Sequence, residues 1–197
     1  MMIADSRKPK WFFYPGWVVL NTLGIPIAWL ISYFLSMYVS SLLAEYVFIP
    51  LFALLAGLLQ YLLLRRYLPR IGWWIAATAV GWPLVPAVFQ LGYAVWPVAL
   101  ANSTWPTAND ALRGIGFVSV GVVTGLAQWL VLRRRVPRAE WWILANALGW
   151  GLVHLIVGEF DSLVVQLFVG AVPAVVTGLA LWWLLAHLPQ HETTVST

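Results

Sequence analysis

His154 is the one histidine set inside a long apolar stretch, with Glu159 and Asp161 following one to two helical turns later. An ionisable side chain at membrane depth is a functional candidate by default. An imidazole there could ligate a porphyrin-type cofactor, or work with the two acids as a proton or cation site. The ordinary alternative is a core histidine whose ring is simply hydrogen-bonded. Neither spacing is that of a known metal or catalytic motif. A second set consists of neutral polar residues embedded in apolar sequence: Asn21, Gln60, Gln128 and Asn146, with Thr78 in a related position and Trp82 and Trp150 nearby. These could ring a ligand pocket with aromatic walls, or hydrogen-bond one another as packing glue. A third set is cationic. Arg65, Arg66, Arg133, Arg134 and Arg138, with Arg135 beside them, fall where anionic lipid headgroups would meet them.

These groups sit in a chain of 197 residues that is 62% hydrophobic and 9% charged, with no cysteine. Soluble domains carry roughly 25% charged residues, and a water-soluble fold of this length could not hide so much apolar surface. Segments such as 47–64 carry no charge, close to the roughly 20 apolar residues that cross a bilayer. The chain therefore reads as all-α, an integral membrane bundle. Hydropathy and Gly/Pro punctuation predict six transmembrane helices: 12–38, 46–67, 72–96, 114–133, 141–160 and 163–188. They form a single membrane domain over residues 1–197, with an extracytoplasmic loop over 97–112. Asn102 in that loop opens an Asn-Ser-Thr triplet, read as plain polar loop sequence.

Ten of the eleven Lys and Arg residues fall in the N-terminal "SRKPK" and the two turns "RRYLPRIG" and "RRRVPRAE". Six spans put all three segments on one side, so the positive-inside rule places both termini in the cytoplasm of a bacterial inner membrane. The N-terminal apolar run exceeds a signal-peptide core and is expected to stay as the first span. The basic pI of about 9.7 is no sign of nucleic acid, because the cations mark span ends rather than a soluble basic face.

The same words recur. "GLLQYLLLRRYLPRIGWWIAATAVGW" (57–82) and "GLAQWLVLRRRVPRAEWWILANALGW" (125–150) agree at sixteen of twenty-six positions. The Trp-started half returns at Trp17, which aligns Asn21, Thr78 and Asn146. The small-xxx-Gly half returns at Ala174 and Gly178, where Leu181 replaces the glutamine. The expectation is three pseudo-repeated two-helix units, about 12–67, 72–135 and 140–190, related by an axis along the membrane normal. Small-xxx-Gly pairs let backbones approach closely in lipid. Gln60 and Gln128 lie about 7.5 Å inside their arginines, and Thr78 and Asn146 about 6 Å inside their tryptophans, at 1.5 Å per residue. That predicts Gln60 bonded to Thr78 and Gln128 bonded to Asn146 within each hairpin. Trp17, Trp73, Trp74, Trp141 and Trp142 are expected in the cytoplasmic aromatic belt.

The "GLxQWLxLRR" and "WWIxAxxxGW" segments resemble those of a group of bacterial multi-pass membrane proteins with no established activity. The resemblance covers 57–82 and 125–150 and implies a membrane fold, not a function. On the residues alone, the expectation is a non-enzymatic membrane protein with no metal. It would be an accessory or structural subunit, or a binder of lipid or another hydrophobic ligand, with membrane lipids and other membrane subunits as partners. Two alternatives remain: a small-solute permease or vitamin-binding substrate module, and an intramembrane enzyme using His154 with Glu159 or Asp161.

Overall fold

Neutral polar side chains are buried together with large apolar ones, while many other large apolar side chains face outward. In the computed structural model, which describes residues 9, 11–39, 41–82, 84, 106–156 and 162–188, the ordered elements are helical. They are α1 (Phe13–Ser36), α2 (Ser41–Leu64), α3 (Trp73–Gly81), α4 (Pro106–Leu132), α5 (Trp141–Ile156) and α6 (Leu163–Ala186). Each packs against its neighbours in the chain, and α6 closes against α1, so the helices form a ring. Among the described residues, three segments are long and apolar enough to cross a membrane: Phe13–Ser36, Gly114–Leu132 and Leu163–Ala186. The predicted ends of the other spans, at 85–96 and 157–160, lie outside the described residues, as do Pro86, Asn102, Glu159 and Asp161.

Two boundaries differ from expectation. α2 begins at Ser41 rather than 46, and α4 begins at Pro106, inside the stretch read as loop 97–112. Hydropathy cannot see that extension, because "PTANDALR" is polar. Helix formation needs no apolar surface, and a proline at the first helical position is already set to the required φ.

Outward positions recur at helical spacing. Leu144, Leu148, Leu152 and Leu155 are exposed on α5, and Val164, Phe168, Val175, Leu179 and Trp182 on α6. Apolar area of that extent on a soluble monomer would be an aggregation surface; in lipid it is the solvated face. The buried side includes Gln60, Thr78, Thr124, Gln128, Asn146 and Thr177, and no charged side chain is buried among the described residues.

The two basic turns fold alike. The Leu64 carbonyl accepts from the Tyr67 and Leu68 amides, and the Leu132 carbonyl accepts from Arg135 and Val136. Arg70 and Arg138, each following the turn proline, adopt left-handed φ of 55° and 59°. The residues flanking each Pro-Arg pair, Leu68 with Ile71 and Val136 with Ala139, are buried and pin the turn to the core.

Candidate functional site

The site expected from sequence is a polar cluster at one depth, and the ring brings its members together. Consecutive residues on a helix point about 100° apart, so only one tryptophan of each pair can face the axis. Trp17, Trp74 and Trp142 do so, at 1%, 0% and 1% exposure, while Trp73 and Trp141 stay outside. This corrects the expectation that all five lie in the aromatic belt. The three inward rings meet in a triangle, with centroids 6.5 Å (Trp17–Trp74), 5.9 Å (Trp17–Trp142) and 5.6 Å (Trp74–Trp142) apart.

Each indole N–H finds an acceptor on the adjoining helix. Trp74 donates to Gln60 Oε1 at 2.8 Å, Trp142 to Gln128 Oε1 at 3.0 Å, and Trp17 to Thr177 Oγ1 at 3.1 Å. Four residues beyond each tryptophan, the side chain bonds back to that tryptophan's own carbonyl. Asn21 donates to Trp17 O, Thr78 to Trp74 O and Asn146 to Trp142 O, at 2.8, 2.9 and 2.9 Å.

The within-hairpin pairing expected for the glutamines does not form. Gln60 Nε2 donates to Asn21 Oδ1 on α1. Gln128 Nε2 donates to Thr78 Oγ1 at 3.0 Å and makes a longer contact with Gln60 Oε1 at 3.4 Å. The cause is the triad. Each glutamine oxygen is taken by the tryptophan across its own turn, which turns the amide nitrogen towards the preceding helix, α1 for Gln60 and α3 for Gln128. The glycines hold this geometry close. A Cβ on Gly57 would lie 3.1 Å from Thr78 Cβ, and one on Gly125 would lie 3.1 Å from Asn146 Cβ. Thr78 and Asn146 thus pack against the glycines of the glutamine-bearing helices instead of bonding to the glutamines of their own hairpins.

The polar layer encloses a cavity of about 40 Å³ lined by Asn21, Gln60, Gln128, Asn146, Trp82 and Trp150, among others. At roughly 10–15 Å³ of such volume per molecule, it accommodates about three or four waters. Trp82 and Trp150 meet edge to face at 4.9 Å, and Phe52 meets Trp82 at 4.5 Å. The polar layer therefore lies between the tryptophan triad and a second aromatic group. Pockets for drug-sized ligands run to roughly 300–1,000 Å³, far beyond this space.

His154 is not part of the cavity lining. Its ring stacks on Phe117 at 6.2 Å and packs on Gly114, where a Cβ would meet the imidazole at 3.0 Å. Its proposed acidic partners, Glu159 and Asp161, lie outside the described residues. No group of His, Asp and Glu among the described residues is arranged to hold a metal ion.

The arginines are exposed around the turns. Arg65 lies over the Tyr61 ring at 5.9 Å and Arg133 over Trp129 at 4.9 Å. Arg135 Nη1 donates to the Pro69 carbonyl at 2.8 Å, tying the two turns together. Arg66, Arg134 and Arg138 each line a groove on the outside of the ring. Sequence reasoning left out two participants. Thr177 precedes the third copy's glycine, and its counterparts Ala56 and Thr124 do not reveal an acceptor role. Arg70 was visible as the second half of a repeated Pro-Arg pair.

Neither a family model, nor a curated protein, nor a solved structure matches the chain.

Proposed function

We propose that this is a non-enzymatic multi-pass protein of the bacterial inner membrane, a lipid-binding accessory or structural subunit. In this proposal six helices cross the bilayer as three pseudo-equivalent two-helix units, both termini are cytoplasmic, and the kinship is with the bacterial proteins sharing its repeated segments. The observation that carries it is the contrast between a filled interior and an open exterior. The axis is occupied by three tryptophans and a satisfied polar cluster around about 40 Å³, whereas grooves of about 410, 430 and 570 Å³ lie on the outside. Those grooves recur between α1 and α2, α3 and α4, and α5 and α6. The threefold relation draws support from the indole bond and the carbonyl back-bond, each made three times at aligned positions.

A small-solute or vitamin-binding module is the weaker alternative, since the central cavity holds only a few waters. Gentle purification with absorbance and mass spectrometry of what remains bound tests the proposal. Phospholipid or a stable protein partner is the expected finding. A stoichiometric water-soluble metabolite would favour the solute module, and a porphyrin absorption band lost in His154→Ala would assign a pigment-binding role.

A further inference from the structure

The three outer grooves share backbone geometry but not charge. Among the described residues, Arg66 is the one cation lining the groove between α1 and α2, and Arg138 the one between α5 and α6. Between α3 and α4, Arg70, Arg134 and Arg135 converge on one end, and the rest is walled by small or apolar side chains such as Ala76, Ala77, Val80 and Ala127. None of the residues lining this groove is acidic. Arg135 is held there by its bond to the Pro69 carbonyl, which uses one of five guanidinium N–H donors and leaves the others for a ligand. Arg70 is presented from a left-handed backbone that disfavours any residue but glycine.

We infer that the α3–α4 groove is a specific seat for one anionic phospholipid. The phosphate sits among the three guanidinia, and an acyl chain lies along the alanine-lined trough. Arginine suits this task because its planar fork pairs with phosphate oxygens through two parallel N–H bonds. The small side chains let a chain lie close to the helix backbones, where leucines would hold it off. Exposed Trp73 borders the same groove at headgroup depth. The α1–α2 and α5–α6 grooves, with one guanidinium each among the described residues, seat lipid without choosing its charge. This rests on the lipid-binding function proposed above.

The test uses the full chain in nanodiscs of equimolar phosphatidylglycerol and phosphatidylcholine, with native mass spectrometry of the lipid retained on release. The expected result is one tightly held phosphatidylglycerol per chain. Removing two groove cations together, Arg70→Gln with Arg134→Gln, should weaken it about 30-fold. The charge-matched control, Lys8→Gln with Lys10→Gln, removes two cations of the N-terminal segment and should change retention by less than about twofold. Ala77→Trp fills the trough with every charge intact and should also abolish retention; lipid held as tightly in that variant would overturn the seat. Glycerol phosphate at millimolar concentration should not displace the lipid, and displacement would mean a free-anion site instead. Equal losses in groove and control pairs would reduce the effect to diffuse surface charge and sink the inference while leaving lipid binding intact. A wild-type chain that retains no phospholipid would overturn the proposed function itself. Far-ultraviolet circular dichroism and tryptophan fluorescence, unchanged across the set, exclude loss through unfolding.

Discussion

In the α4–α5 hairpin the axial tryptophan, Trp142, donates to a glutamine. Where α6 meets α1, Trp17 donates to a threonine. Position 181, which aligns with Gln60 and Gln128, is a fully buried leucine in the third copy. Thr177 lies four residues earlier, one turn along the same helix face, and its hydroxyl also donates to the Pro173 carbonyl at 2.6 Å. The requirement common to the three tryptophans is therefore an acceptor for a buried indole N–H, not a glutamine. What α6 gives up is the amide nitrogen, which in α2 and α4 reaches the preceding helix, α1 and α3. Leu181 adds apolar packing beneath the triad instead, with Leu184 and Leu185.

The sharpest way to break this equivalence is steric. Gly121, Ala53 and Ala174 align, but a Cβ on Gly121 would run into the Asn146 carbonyl and come within 2.7 Å of Ala147 Cα. Gly121→Ala should cost about 1–3 kcal/mol by overpacking α4 against α5. At the aligned site in α2 the methyl of fully buried Ala53 is already accommodated, and Ala53→Gly should cost about 1–2 kcal/mol through helix propensity and the lost buried methyl. Thermal unfolding in mild detergent, followed by tryptophan fluorescence, measures both; a Gly121→Ala variant as stable as the wild type would mean that α4 and α5 have room for a methyl there after all.

Hydrogen bonds give the next effect. Gln128→Leu leaves Trp142 Nε1 without its acceptor and should cost up to about 1.7 kcal/mol, the upper end for such bonds in membranes. Thr177→Val should have a comparable effect through Trp17, whereas Leu181→Gln should gain nothing from the bond Trp17 already makes. If Thr177→Val proves silent in the same unfolding assay while Gln128→Leu is not, the third copy lacks the role assigned to it.

The smallest effect concerns the turns. Arg70→Gly and Arg138→Gly relieve a left-handed residue, worth about 1–2 kcal/mol, against a loss of about 0.5–1 kcal/mol from glycine's greater freedom when unfolded. Each should leave stability unchanged or raise it by up to about 1.5 kcal/mol. Only Arg70→Gly should also weaken retention of an anionic lipid, which separates the two otherwise matching turns.

Much of this was legible in the sequence. The repeated Gln, Gly and Trp positions placed the polar groups at one depth, and the contacts of Gly57 with Thr78 and Gly125 with Asn146 follow the same alignment. The direction of the amides was not legible, because a glutamine has two ends. Which end faces its own hairpin depended on where the indole N–H came to lie. Thr177 was hidden for a similar reason: its hydroxyl could have bonded only within its own helix, as Thr124 does to Val120 and Gly121.

By itself, the sequence determined an apolar, helical chain with cations gathered at two turns and a pattern written repeatedly. Composition and periodicity are local properties, and the cost of exposing polar backbone to lipid leaves helices as the available structure. Only the tertiary structure decided that α6 closes on α1, that one tryptophan of each pair turns inward to complete a triangle, and that three arginines converge on a single groove. Helical periodicity fixes the angle between side chains on one helix. It does not fix the rotation of that helix against its neighbours, and that rotation assembles groups from different helices into one place.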